Sequence, residues 1–143
     1  MLCDIEGKTI LFTSMRNSKF IYTFALKIRT SIMAGIYLHI PFCKRRCIYC
    51  DFFSTTQSEK KENYVEALCN ELKLRKDYLG GESIQTIYLG GGTPSQLAPK
   101  DFEKIFQTLT DWFQISEEAE ITLEANPDDL TPAYIADLRN FPF

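Results

Sequence analysis

Three short runs of β-branched and aromatic residues alternate with patterns typical of amphipathic helices. The strand patterns lie at residues 36–40, 84–89 and 121–125, and the helical patterns at residues 64–79, 99–113 and 131–140. Gly80 is expected to end the first helix, and Pro99 to begin the second. The segments between successive strands are long enough for the crossovers that parallel strands need. The sequence therefore predicts an α/β fold with three βα units and helices covering a parallel sheet.

Three cysteines follow the first predicted strand at the spacing C-x3-C-x2-C, at Cys43, Cys47 and Cys50. Pro41 ends that strand because it cannot donate a ladder hydrogen bond. The cysteines therefore lie on a loop at the carboxyl end of a strand, the edge at which α/β folds bind ligands. Iron–sulfur clusters are usually held by four cysteines, so three thiolates would leave one iron open to an external ligand.

Other uses of the cysteines remain open. Three cysteines and His39 have the composition of a structural Cys3His zinc site, although zinc motifs usually place their ligand pairs on two loops. A disulfide framework is disfavoured by the odd count of five cysteines and by the lack of a secretory signal pattern. Cys69 lies beside an apolar helical stripe, which predicts a buried thiol without a ligand role.

The second and third predicted strands also end in chemically distinctive residues. Residues 90–95 read Gly-Gly-Gly-Thr-Pro-Ser, and consecutive glycines let a ligand approach the backbone closely. The segment is neither a P-loop nor a dinucleotide fingerprint, and an ordinary turn is the alternative. Glu124 is expected at the carboxyl end of the third strand, where a carboxylate can accept hydrogen bonds from an amino group or a ribose. A surface glutamate is the alternative there.

Three segments together resemble a known family: GIYLHIPFCKRRCIYCDF, IYLGGGTPS and ITLEANPDDLT. They are similar to the radical S-adenosylmethionine (SAM) superfamily and, within it, to the oxygen-independent coproporphyrinogen III oxidase group, nearest its HemW-type haem chaperones. The likeness extends from Met33 to about Arg139. It implies the amino-terminal half of a partial (βα)6 barrel, so we expect an incomplete domain, a fragment whose last strand leaves an uncovered edge.

The resemblance also implies a cofactor site. By motif position, a 4Fe-4S cluster would be bound by Cys43, Cys47 and Cys50, and S-adenosylmethionine would be contacted by Tyr37, Tyr49, Gly91, Gly92, Thr93 and Glu124. The implied chemistry is one-electron reduction of the bound sulfonium, supplied by the cofactors and a reducing electron donor, so no side chain is assigned a catalytic role. Lys44 and its basic neighbours either offset the charge of a cluster or form a solvated loop.

One position separates two branches of the group. Coproporphyrinogen III oxidases resemble C-x3-C-x2-C-x-C, and this chain has Phe52 at the last position. Phe52 favours the haem-chaperone branch, with haem as the partner. Oxidation of a porphyrinogen is the alternative, and an inactive fragment or a zinc module is the second. Whether the chain is an enzyme remains open.

The rest of the chain sets broader expectations. A net charge of −3 and a pI near 5.2 argue against a nucleic-acid partner. Residues 1–32 are expected to be an extension outside the domain, which would comprise residues 33–143. Neither Cys3 nor Met15 is assigned a function. The longest apolar piece of the extension, residues 20–26, is too short to span a bilayer, and a cytoplasmic location is expected.

Overall fold

The computed structural model describes residues 10–11, 23–29 and 32–143. The strands are Ile10–Leu11 (β1), Thr23–Arg29 (β2), Ile32–Ile40 (β3), Ile84–Gly91 (β4) and Ile115–Leu123 (β5). The helices are Lys61–Leu74 (α1), Pro99–Trp112 (α2) and Pro132–Leu138 (α3), and short 3-10 helices occupy Ser58–Lys60, Pro94–Gln96 and Pro127–Asp129. Cys3 and Met15 lie outside the described residues.

The five strands form one sheet in the order β1-β2-β3-β4-β5. The central and last strands, β3, β4 and β5, are parallel, with Leu38 opposite Leu89 and Leu89 opposite Leu123. This arrangement of three parallel strands with helical crossovers confirms the predicted α/β fold.

The other two strands come from the segment predicted to be an extension. β2 pairs antiparallel with β3 along its whole length, and β1 pairs with β2. A domain boundary at residue 33 stays a prediction.

Side chains of β3 and β4 alternate between the two faces of the sheet. Leu38 and Leu89 are fully buried in the core beneath α1 and α2, where each leucine stabilises the fold by about 2 kcal/mol. Tyr37, His39 and Tyr88 point to the opposite face. The helix-covered face therefore carries the core, and the other face supplies polar groups near the strand ends.

The helical stripes pack as their spacing predicts. Cys69 is a free thiol, 1% exposed, within the apolar core, so the prediction of a buried cysteine is confirmed. Asp101 accepts a hydrogen bond from the backbone N–H of Ala98 at the start of α2, and Thr131 caps α3 by accepting from the N–H of Tyr134.

None of the helices among the described residues is long and apolar enough to cross a membrane.

Several predicted boundaries were wrong, most of all the end of α1 and the starts of β3 and β5. α1 ends at Leu74, where the Arg75 N–H bonds back to three carbonyls of the last turn, and Gly80 lies beyond, in a turn at φ +63°. β5 begins at Ile115, which pairs with Ile84, and the ladder resumes at Glu120 after an irregularity; the exposed Glu117, Glu118 and Glu120 are tolerated because β5 is an edge strand.

Candidate functional site

The carboxyl ends of the three parallel strands lie side by side. Ile40 at the end of β3 is opposite Gly91 at the end of β4, and Leu89 is opposite Leu123 at the end of β5. Three loops therefore leave the same edge of the sheet. They carry the three cysteines, the glycine run and Glu124, so the structure brings together the regions that the sequence marked separately.

The cysteine loop is closed at its base. The Cys43 N–H donates to the Thr55 carbonyl at 2.9 Å, and the Thr55 N–H donates to the Pro41 carbonyl at 2.7 Å. These bonds fix the two ends of the loop against each other, and the residues between them form its tip. At the tip the Cys50 N–H donates to the Cys47 carbonyl at 3.2 Å, which makes a tight turn between those two cysteines.

The three thiols fit the donor set of a cluster with one open iron. All are free; Cys43 and Cys50 are partly buried and Cys47 is exposed. Among the described residues, no three His, Cys, Asp or Glu side chains converge on one metal position, so the loop tip would have to close to bring the sulfurs together. The loop is fixed at its base and exposed at its tip, which is compatible with that closure.

Both ring nitrogens of His39 make hydrogen bonds, one of which would be lost if the ring bound zinc. It is 5% exposed, and its Nε2 donates to the Phe53 carbonyl at 2.9 Å. Because a carbonyl only accepts, Nε2 carries the proton, and Nδ1 can accept from the Tyr37 hydroxyl at 3.3 Å. Both ring nitrogens are therefore in use, which disfavours a Cys3His zinc site that includes His39.

The glycine run fits closely against β3 and the cysteine loop. Gly91 has φ +112°, a conformation that favours glycine, and an added Cβ would lie 2.4 Å from Cε1 of His39. The Gly92 N–H donates to the Ile40 carbonyl at 2.8 Å. Thr93 reaches the cysteine loop directly, because its Oγ1 donates to the Cys43 Sγ at 3.4 Å.

Glu124 lies where the sequence predicts, immediately after β5. Its Oε1 accepts from the Tyr88 hydroxyl at 2.7 Å, and its Oε2 accepts from the Gly91 N–H at 3.0 Å. Tyr37 stacks on Tyr88 with ring centroids 5.9 Å apart. Burial, together with the charge of Glu124, raises the pKa of Tyr37 to about 12, so its hydroxyl stays protonated at neutral pH. The carboxylate therefore joins the glycine run to an aromatic pair.

Tyr49 stands apart from this group. It is 85% exposed at the tip of the cysteine loop. The neighbouring Cys47 raises the pKa of its phenol. Of the residues predicted to contact S-adenosylmethionine, the other five lie at the strand ends, and Tyr49 would reach them only if the loop tip closed.

Sequence reasoning missed Asp129 as a member of this edge. It lies five residues after Glu124, and its carboxylate binds Ser95, Gln96 and Lys44. The available signal was an acidic residue in the loop that follows the third strand. Beside it, a cavity of about 250 Å³ adjoins Cys43. The cavity is lined by Phe42, Cys43, Lys44, Thr56, Ser58, Lys61 and Gln96.

Burial of His39 makes folding sensitive to mild acid. Burial lowers the pKa of His39 below its usual 6.5, so the unfolded chain binds a proton that the folded chain excludes. Stability contributed by neutral His39 is complete above about pH 6.5 and falls as the pH drops towards the lowered pKa, by at most about 1.4 kcal/mol per pH unit. Urea unfolding at pH 7.5 and 5.5 measures this slope. His39 is the chain's only histidine, so His39→Gln should reduce the slope, and an equal slope in the variant would contradict the assignment.

Comparisons of the sequence with known proteins identify similar proteins. A family model described as the radical SAM superfamily matches residues 37–143. The chain is 37% identical over 109 residues to the haem chaperone HemW of Mycobacterium tuberculosis, covering 73% of this chain and 28% of that protein. It is 37% identical over 95 residues to HemW of Escherichia coli, covering 65% and 25%. It is 35% identical over 112 residues to radical S-adenosyl methionine domain-containing protein 1, mitochondrial, of Danio rerio, covering 78% and 24%.

A solved structure supports the same relationship. Coproporphyrinogen III oxidase (HemN) from Escherichia coli, a radical SAM enzyme, matches with a TM-score of 0.68 and 31% identity, covering 75% of this chain and 25% of that one. The chain spans about a quarter of the length of these relatives. Its three βα units match part of the HemN fold, as expected from the sequence. The family model covers most of the chain, and the chain therefore belongs to the radical SAM superfamily.

Proposed function

We propose that the chain binds a 4Fe-4S cluster through Cys43, Cys47 and Cys50 and holds S-adenosylmethionine at the adjoining strand ends. The observation that carries this proposal is the direct contact between the three loops. Thr93 donates to Cys43, and the Gly91 N–H donates to Glu124. A ligand on a cluster at the cysteine loop would therefore lie next to the glycine run and a carboxylate. When bound, the cluster supplies an electron for reductive cleavage of the sulfonium.

The strand-end residues have chemistry that suits the ligand. The Glu124 carboxylate would accept from the ligand's amino group or a ribose hydroxyl, while Gly91, Gly92 and Thr93 would contact its aminoacyl end. Tyr37 would present a protonated hydroxyl from the side of β3, because its pKa is about 12. These residues bind and orient the ligand.

We further propose that a protein containing this domain handles haem. Phe52 is 66% exposed two residues after Cys50, at the position where an oxidase would have a further cysteine. The similar proteins named as haem chaperones support the same branch. Oxidative decarboxylation of coproporphyrinogen III is the second candidate, favoured by the likeness to HemN. There a reducing electron donor would supply the electron that cleaves S-adenosylmethionine, and the resulting radical would oxidise the porphyrinogen.

Anaerobic reconstitution tests the cofactor proposal. The 143-residue chain is incubated with iron, sulfide and reductant, and is then assayed for iron, sulfide and zinc. About four irons and four sulfides per chain are expected, with an electron paramagnetic resonance signal of the reduced cluster that changes when S-adenosylmethionine is added. Zinc in place of iron, with no sulfide retained, would overturn the proposal in favour of a zinc module.

A paired assay separates the two branches. Haem is titrated onto a reconstituted full-length protein that contains this domain, and coproporphyrinogen III is incubated with the same preparation, a reductant and S-adenosylmethionine. Stoichiometric haem uptake with unchanged porphyrinogen supports the chaperone branch. Decarboxylated product without haem uptake would move the assignment to the oxidase branch.

A further inference from the structure

One largely buried carboxylate connects the three loops of the site. The Asp129 side chain is 6% exposed, on the short 3-10 helix that follows β5. Its Oδ1 lies 2.5 Å from the Lys44 Nζ. Its Oδ2 accepts from the Ser95 Oγ at 2.7 Å and from the Gln96 Nε2 at 2.6 Å. One side chain thus contacts both the loop that follows β3 and the loop that follows β4.

The partners of Asp129 lie next to the residues assigned to the cofactors. Lys44 directly follows Cys43, and Ser95 lies two residues after Thr93. The Ser95 hydroxyl also accepts from the Asn126 N–H at 3.0 Å, which ties the loop that follows β5 into the same network. A shift of any of the three loops would therefore break a hydrogen bond to a shielded carboxylate, an expensive loss.

Electrostatics show that Asp129 is held as an anion. Burial alone would raise its pKa, but the bonds from Lys44, Ser95 and Gln96 outweigh burial and lower the pKa. Lys44 also remains 60% exposed, so the carboxylate, and not the lysine, is the shielded member of the pair. The polar contacts thus converge on the carboxylate, which is the group that the three loops share.

We propose that Asp129 is a positioning residue. It holds the cysteine loop against the glycine run, and so fixes the position of the cluster site relative to the S-adenosylmethionine site. The role in ligand binding rests on the function proposed above. Asp129 touches neither the cysteine thiols nor the strand-end ligand residues in the contacts described, and it acts through Lys44 and Ser95. Loss of its charge should loosen the base of the cysteine loop without removing any of the three thiols.

Asp129→Asn tests this role, because asparagine keeps the size of the side chain and loses the charge. In the chain without cluster, amide hydrogen exchange at Cys43 and Thr55 should accelerate about tenfold, while exchange at Leu68 in the core of α1 stays unchanged. After reconstitution, iron loading should be kept. The S-adenosylmethionine concentration that produces half of the full change in the electron paramagnetic resonance signal should rise about tenfold. Lys44→Met should reproduce both effects, and the double variant should add little to either.

Glu66→Gln is the matched control. It removes an ion pair with Lys104 that also links two elements, on the exposed surface of α1 and α2 away from the strand ends. It should leave loop exchange and ligand response unchanged.

Each result decides a different part of the proposal. Unchanged exchange at Cys43 and Thr55 in Asp129→Asn would overturn the anchoring role. Faster exchange with an unchanged ligand response would overturn the positioning role. Equal acceleration in the loop and in the core would show a general loss of stability and would also overturn it. If the unaltered chain takes up no cluster, the proposed function fails, and the exchange measurement still decides whether Asp129 anchors the loop.

Discussion

Cys47→Ser is expected to abolish iron–sulfur loading, while Cys69→Ser leaves it intact. Cys47 is one of three thiols on the loop that follows β3, and an uncharged hydroxyl is a poor replacement for a thiolate ligand to iron. With two thiolates left, the loop could anchor only two irons, so bound iron and sulfide are expected to fall at least about tenfold. Cys69 lies on α1, buried in the apolar core, and its thiol bonds the Lys104 carbonyl of α2, so it is not part of the cysteine loop.

The two serine variants form a matched pair. Both are reconstituted without oxygen, and iron, sulfide and the visible absorption of the cluster are compared with those of the unaltered chain. Cys47 is exposed, so its replacement should leave the unfolding midpoint almost unchanged, whereas Cys69→Ser puts a hydroxyl into an apolar core and should lower the midpoint. Equal loading of the two variants would show that the ligands have been assigned wrongly.

The fold could be predicted because local patterns and tertiary packing agree along most of the chain. Along β3 and β4, buried side chains that face the helices alternate with side chains that face the other side of the sheet. The buried apolar stripe of α2 is almost continuous. The errors arose where local pattern and environment diverge. Glu117, Glu118 and Glu120 look like part of a charged loop, yet they lie within β5. Ile115 and Glu120 pair with β4, and the residues between them form an irregularity of the ladder, which an edge strand with exposed charge tolerates.

The candidate site could be predicted where its residues lie close together in the sequence. The spacing of Cys43, Cys47 and Cys50 and the glycine run are local, and the parallel topology places Glu124 beside them. Asp129 and Tyr88 were missed because their roles depend on contacts between residues more than thirty positions apart. No periodicity reports which polar residue of a loop will meet a partner on another strand.

His39 contacts both the cysteine loop and the glycine run. Its ring bonds the Phe53 carbonyl on the cysteine loop and fills the space above Gly91 that a side chain there would need. A buried neutral imidazole in this place keeps β4 and the cysteine loop at a fixed separation. The absence of side chains at Gly91 and Gly92 is therefore needed for packing against β3.

Gly92→Ala should be among the most damaging single substitutions in this region. An added Cβ would lie 2.6 Å from the Pro41 carbonyl carbon and 2.8 Å from the Ile40 oxygen. Both obstacles are backbone, so no side chain can rotate away, and relief requires β4 to move from the end of β3. That movement would break the hydrogen bond from the Gly92 N–H to Ile40. The combined cost is expected to be about 3 kcal/mol of unfolding free energy.

Gly81→Ala separates crowding from backbone strain. Gly81 has φ +79°, but nothing lies within 4 Å of its Cβ position, so alanine there should cost only about 1 kcal/mol. Urea unfolding of both variants gives the two costs, and anaerobic reconstitution gives their cluster loading. Gly92→Ala should show the larger loss of stability and reduced loading, since displaced strand ends carry the cysteine loop with them. Similar costs for the two variants would mean that the close approach of Gly92 to β3 does not hold the site together.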